Sequence, residues 1–71
     1  MLHTISEKIE NTRDSINSNI TYLRYSYILE DKEERVFTCN LIKEKLKILE
    51  KHLNELIDYE ENSNSRAYYT R

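Results

Sequence analysis

The sequence predicts an all-α protein: a two-helix antiparallel hairpin that dimerises into a four-helix bundle. Three observations carry that expectation. First, one stripe at helical spacing runs Leu2, Ile5, Ile9, Thr12, Ile16, Ile20, Leu23 and Tyr27, and a second runs Val36, Cys39, Ile42, Leu46, Leu49, Leu53 and Leu56. Second, laid antiparallel, the stripes pair Tyr27 with Val36, Leu23 with Cys39 and so on to Ile5 with Leu56, each pair centred close to Asp31. That centre falls inside the chain's main polar interruption, Glu30-Asp-Lys-Glu-Glu-Arg35. Third, glycine and proline are both absent, which suits helices and disfavours tight β-hairpins and Gly-rich phosphate loops.

Helix 1 is expected over about residues 4–29. Thr4-Ile-Ser-Glu7 has the capping-box pattern that starts a helix. Its middle holds Asn11, Thr12, Asp14, Ser15, Asn17, Ser18, Asn19 and Thr21, types that prefer caps and turns, so this helix depends on packing. The turn is expected at about 30–32. Asp31-Lys-Glu-Glu34 is a second capping pattern, with acids placed where the next helix's dipole favours them. Asp31 and Arg35 are also spaced to pair. Helix 2, about residues 33–60, follows heptads: Cys39, Leu46 and Leu53 at one core position, Ile42, Leu49 and Leu56 at the other. Leu41, Ile48 and Ile57 widen its apolar face. Residues 1–60 thus form the hairpin domain. From Glu61 the pattern stops, and 61–71 reads as a flexible C-terminal tail ending in the basic, aromatic run Arg66-Ala-Tyr-Tyr-Thr-Arg71. The rival architecture is one continuous helix roughly 80 Å long; it would place six consecutive charged residues in the middle of its own core stripe.

Seventy-one residues make one small domain. A single core of that size rarely supplies more than about 3–5 kcal/mol, so disulfides, metals or association usually add to it. One cysteine excludes an internal disulfide, and no metal-ligand spacing is visible, which leaves self-association. A net charge of −2 argues against a general polyanion binder. The longest apolar run is Tyr27-Ile28-Leu29, too short for a membrane span or the core of a signal peptide. With a lone thiol, a cytoplasmic location is expected. Alanine occurs once while Ile, Asn, Lys and Tyr abound; the A/T-rich codons of those four point to a low-GC bacterium, its phages or plasmids, or an archaeal virus.

Few residues are arranged for chemistry. His3 and His52 are the only imidazoles, and no second His or Cys lies one turn from His52; it reads as a solvated surface side chain. Cys39 reads as a small core residue beside Leu23. Glu10 and Asp14 are like-charged neighbours on a solvated face. Asn19-Ile-Thr21 fits the glycosylation sequon, a coincidence in a chain without a secretion signal. The expectation is therefore no catalysis, no cofactor, no metal and no small-molecule substrate.

The aromatic content points elsewhere. Tyr22, Tyr25, Tyr27, Ile28 and Leu29 end helix 1, opposite Phe37 and Leu41 at the start of helix 2. A two-helix seam cannot bury them all, and Tyr and Phe outside a seam mark interfaces. Tyr22, Tyr25, Leu29, Phe37 and Leu41 are thus the candidate protein-binding residues of a small adaptor, inhibitor or regulator. The alternative is an RNA- or DNA-binding hairpin using the basic stripe Lys43, Lys47 and Lys51 with Arg66 and Arg71 of the tail; Glu44, Glu50 and Glu55 flank that stripe.

Two helices of similar length joined at an acidic bend resemble, in outline, the plasmid copy-control hairpins that dimerise as four-helix bundles. The stretches Glu7–Asn17 and Leu53–Ile57 are similar to small sporulation aspartyl-phosphate phosphatases. Those carry Ser-Gln-Glu-Leu-Asp where this chain has Glu50-Lys-His-Leu-Asn54. Only His52 and Asn54 could serve such a site, and the activity is not carried over.

Overall fold

A computed structural model describes the backbone of residues 2–69 and the side chains of residues 2–62. The chain folds as two helices, α1 (Leu2–Ile28) and α2 (Lys32–Tyr69), packed against each other. They run antiparallel: Lys8 meets Glu55 toward the open end, Ser15 and Asn19 meet Lys45 midway, and Tyr22 meets Glu34 near the bend. The result is a thin rod of 61 × 16 × 12 Å.

The backbone of α1 is helical from Leu2, so Thr4 lies inside the first turn instead of capping it; no glycine or proline stands ahead of it to halt the helix. Its polar middle is accommodated by hydroxyls that fold back on the preceding turn. Thr12 Oγ1 donates to the Lys8 carbonyl at 2.8 Å, Thr21 Oγ1 to Asn17 at 3.1 Å, and Ser26 Oγ to Leu23 at 2.8 Å. At the other end of the chain, α2 continues as helical backbone through Tyr69, past the point near residue 60 where the apolar pattern stops. The side chains of the tail residues Arg66, Tyr68 and Tyr69, and the whole of Arg71, lie outside the described residues.

The bend occupies Leu29, Glu30 and Asp31. Glu30 sits in the left-handed region at φ 56°. Around it, the Glu30 N–H donates to the Tyr27 carbonyl at 3.2 Å and the Asp31 N–H to the Ser26 carbonyl at 3.0 Å. These two bonds are the Schellman closure, which ordinarily places glycine where Glu30 stands. Asp31 then caps α2: its Oδ1 accepts from the Glu34 N–H at 3.1 Å. The reciprocal half of the capping box is diverted, because Glu34 Oε2 accepts the Tyr22 hydroxyl at 2.9 Å. Arg35 is diverted too. It donates to the Ser26 carbonyl at 3.3 Å and lies 4.8 Å from the Tyr27 ring centre, and it makes no ion pair with Asp31 among the described residues. A cation at the carbonyl end of α1 is favoured by the helix dipole.

The seam between the helices is rotated from the one the apolar stripes predict. On α1 the residues turned inward are Ile5, Ile9, Thr12, Ser15, Ile16, Asn19, Leu23 and Ser26; Leu2, Ile20 and Tyr27 are exposed. On α2 they include Thr38, Ile42, Lys45, Leu49, His52, Leu56 and Tyr59; Val36, Cys39, Leu46 and Leu53 are exposed. Among the described residues only Ile5 and Ile16 are fully buried hydrophobics, at 3% and 7% exposure, while Ser26 and Thr38 are both 1% exposed. The cause lies at the bend. A three-residue connection brings the backbones together where the facing residues are small, and that fixes the rotation of both helices.

Two outcomes follow from the turn. Glu30→Gly relieves the left-handed penalty and raises unfolding free energy by roughly 0.5–1 kcal/mol, and Asp31→Ala lowers it by about 1 kcal/mol, both read from urea unfolding followed by circular dichroism.

Candidate interaction surfaces

The hairpin has two unlike sides, and residues seven apart trace them. On α1, Lys8, Ser15 and Tyr22 form one line; on α2, Glu34 and Glu55 belong to another. These lines meet. Tyr22 bonds Glu34, Lys45 Nζ donates to Ser15 Oγ at 2.6 Å and to Asn19 Oδ1 at 2.5 Å, and Lys8 Nζ lies 3.9 Å from Glu55 Oε2. The other oxygen of Glu55 is 3.3 Å from His52 Nδ1. This side is therefore a run of polar clasps between the helices. The hydrogen bond to Glu34, which favours the protonated phenol, holds the Tyr22 pKa above its ordinary value.

On the opposite side, Ile20 and Tyr27 form a line on α1, and Cys39, Leu46 and Leu53 form one on α2, with Val36 one turn ahead. All six are exposed. Sequence reasoning placed every one of them inside the seam, and Cys39 is correspondingly an exposed thiol, not a core residue. His52, expected in solvent, is instead half-buried in the seam. The missed signal is a second ladder of period seven: Thr12, Asn19 and Ser26 on α1, Thr38, Lys45 and His52 on α2. Small and polar residues on one line of each helix let two helices approach and clasp. Toward the open end the Ile20 and Tyr27 line continues with exposed Arg13, whose guanidinium turns outward to Glu10 at 3.6 Å and Asp14 at 3.2 Å.

At the bend, Tyr22, Tyr25, Leu29 and Phe37 are exposed, Phe37 by 64%, and Leu41 is half-buried. Ile28, at 72%, extends the same end of the rod. A shallow groove of about 530 Å³ lies along the first turns of α2, lined by Lys32, Glu33, Val36, Phe37 and Asn40. The five residues expected to bind protein are thus gathered at one end of the rod, with Leu41 contributing least. Lys43, Lys47 and Lys51 all stand exposed on the outer face of α2. Their expected companions in nucleic-acid binding, Arg66 and Arg71, lie outside the described side chains.

Among the described residues no cluster of His, Cys, Asp or Glu is arranged to hold a metal ion, and no helix is long and apolar enough to cross a membrane. No protein-family model, no curated protein and no solved structure matches the chain.

Lys45→Met keeps the aliphatic stem but removes the donor to Ser15 and Asn19, and lowers unfolding free energy by roughly 1 kcal/mol in urea titrations. Tyr25→Ser and Phe37→Ser, at exposed positions, change it by less than about 0.5 kcal/mol.

Proposed function

We propose that this chain is a small non-enzymatic interaction protein, an adaptor, inhibitor or regulator that self-associates into a four-helix bundle and engages a partner protein through its bend end. One observation carries the reading. Among the described residues the fully buried apolar interior is Ile5 and Ile16, while Ile20, Tyr25, Tyr27, Leu29, Phe37 and Leu46 are all exposed. A rod with so little interior gains stability by covering its apolar surface with another protein surface. Tyr and Phe at the bend suit hetero-binding, since each buries much area with few torsions to freeze. The composition fits a cytoplasmic product of a low-GC bacterium or of a phage, plasmid or virus.

The second reading is nucleic-acid binding through Lys43, Lys47 and Lys51. It draws on a specific observation: none of the three is in an ion pair among the described residues.

Light scattering on the purified chain is expected to give twice the chain mass, with a urea midpoint that rises with protein concentration. A monomer that melts cooperatively at every concentration would sink the self-association part of the proposal. Salt separates the two binding readings. An apolar protein interface changes little between 50 and 200 mM salt, whereas a complex resting on phosphate contacts weakens steeply across that range. Phe37→Ser and Tyr25→Ser are expected to abolish capture of the partner protein from the native host; undiminished capture would remove the bend end from the proposal.

A further inference from the structure

We infer that the occupant of the exposed apolar side is a second copy of this hairpin, turned end for end, with its two-fold axis at the level of Ile16 and Leu46. The inference rests on the self-association proposed above and deepens it by assigning the face and the direction.

The face comes first. Ile20, Tyr27, Val36, Cys39, Leu46 and Leu53 lie together on the side away from the polar clasps. Their exposed surface is on the order of 600 Å² per copy, and a standard stable interface buries about 800 Å² on each partner. The half-buried seam residues Ile42, Leu49 and Leu56 border this side and add to it.

The direction comes from register and charge. About a level through Leu46, the α2 line is symmetric: Cys39 and Leu53 are each seven residues away. Turned end for end, Leu46 meets the partner's Leu46, and Leu53 meets the partner's Cys39. On α1, Ile9 and Leu23 are likewise each seven residues from Ile16, so Ile9 meets the partner's Leu23. The α2 rim of the face carries exposed Lys43 three residues before Leu46 and exposed Glu50 four residues after it. The end-for-end arrangement sets Lys43 against the partner's Glu50. With both bends at one end, a two-fold axis along the rod would lay α2 over the partner's α1, so Lys43 would face that helix and not the partner's Glu50, while the two Cys39 residues would stand at one level. Only the end-for-end arrangement brings these opposite charges together at the rim, which favours it.

Cross-linking and mass measurement test this together. In the end-for-end dimer the two Cys39 residues stand roughly 20 Å apart at 1.5 Å per residue. A short-arm bismaleimide therefore leaves the wild-type chain unlinked, and links Leu46→Cys made in a Cys39→Ser background. Rapid linking through Cys39, or none through the residue 46 variant, overturns the direction. Leu46→Glu is expected to shift light scattering to a single chain mass, while Phe37→Ser leaves the dimer intact. A dimer that survives Leu46→Glu but is lost with Phe37→Ser moves the interface to the bend and overturns the face, leaving self-association standing. A wild-type chain that scatters as a monomer at every concentration removes the underlying proposal instead. Should Leu46→Glu unfold the chain, the cross-linking pattern of the folded variants still decides.

Discussion

Glu30 in the left-handed region, with the two backbone bonds that close around it, is the constraint on which the rest of the hairpin depends. Three residues leave almost no freedom in how α2 departs from α1. Once Glu30 turns the chain and Asp31 caps the new helix, the rotation of each helix about its own axis is set. The first layer beyond the bend is Ser26 and Thr38, small enough for the backbones to come close. Arg35 holds that layer from outside, donating to Ser26 and lying over Tyr27. Every later layer inherits this phase, because both helices keep their side chains in step at seven-residue intervals.

That phase has an energetic consequence. It puts Asn19, Lys45 and His52 in the seam, where leucine or isoleucine would bury more apolar area. Polar groups in a packed interface add little net stability, but they specify alignment, since a slipped register would leave them without partners. Lys45 illustrates this: its ammonium reaches both Ser15 and Asn19, and a shift by one turn would separate it from at least one. The hairpin thus holds its register through polar contacts on one side and keeps its large apolar residues on the other.

The bend end and the apolar side are different surfaces with different consequences. The apolar side follows α2 from Val36 to Leu53, with Ile20 and Tyr27 beside it on α1, and has the straight periodicity of a helix-on-helix contact. The bend end is short and mixed, combining Tyr25, Ile28, Leu29 and Phe37 with the charges Lys32 and Glu33 beside the groove. A dimer built on the first leaves the second free at both ends of the bundle. If the proposed assembly forms, two identical bend ends at opposite poles would be bivalent toward a protein that binds them, which strengthens attachment wherever two copies of it lie within reach.

Much of this was legible in the sequence. The two helices, their antiparallel pairing, the place of the turn and the Asp31 cap follow from apolar spacing and from the acidic run, because those features act locally along the backbone. The bend-end aromatics were legible as a surplus that two helices cannot enclose. What the sequence left open is which of two adjacent lines on each helix faces its neighbour. Leu46 and Lys45 are successive residues, and periodicity alone assigns the interior to the leucine. The tertiary structure reversed that, because a three-residue turn and the small pair Ser26 and Thr38 rotate both helices toward their polar ladders. Hydrophobic periodicity determines that a helix has an apolar face, whereas the closure of the chain decides whether that face meets its own partner helix or is left for another molecule.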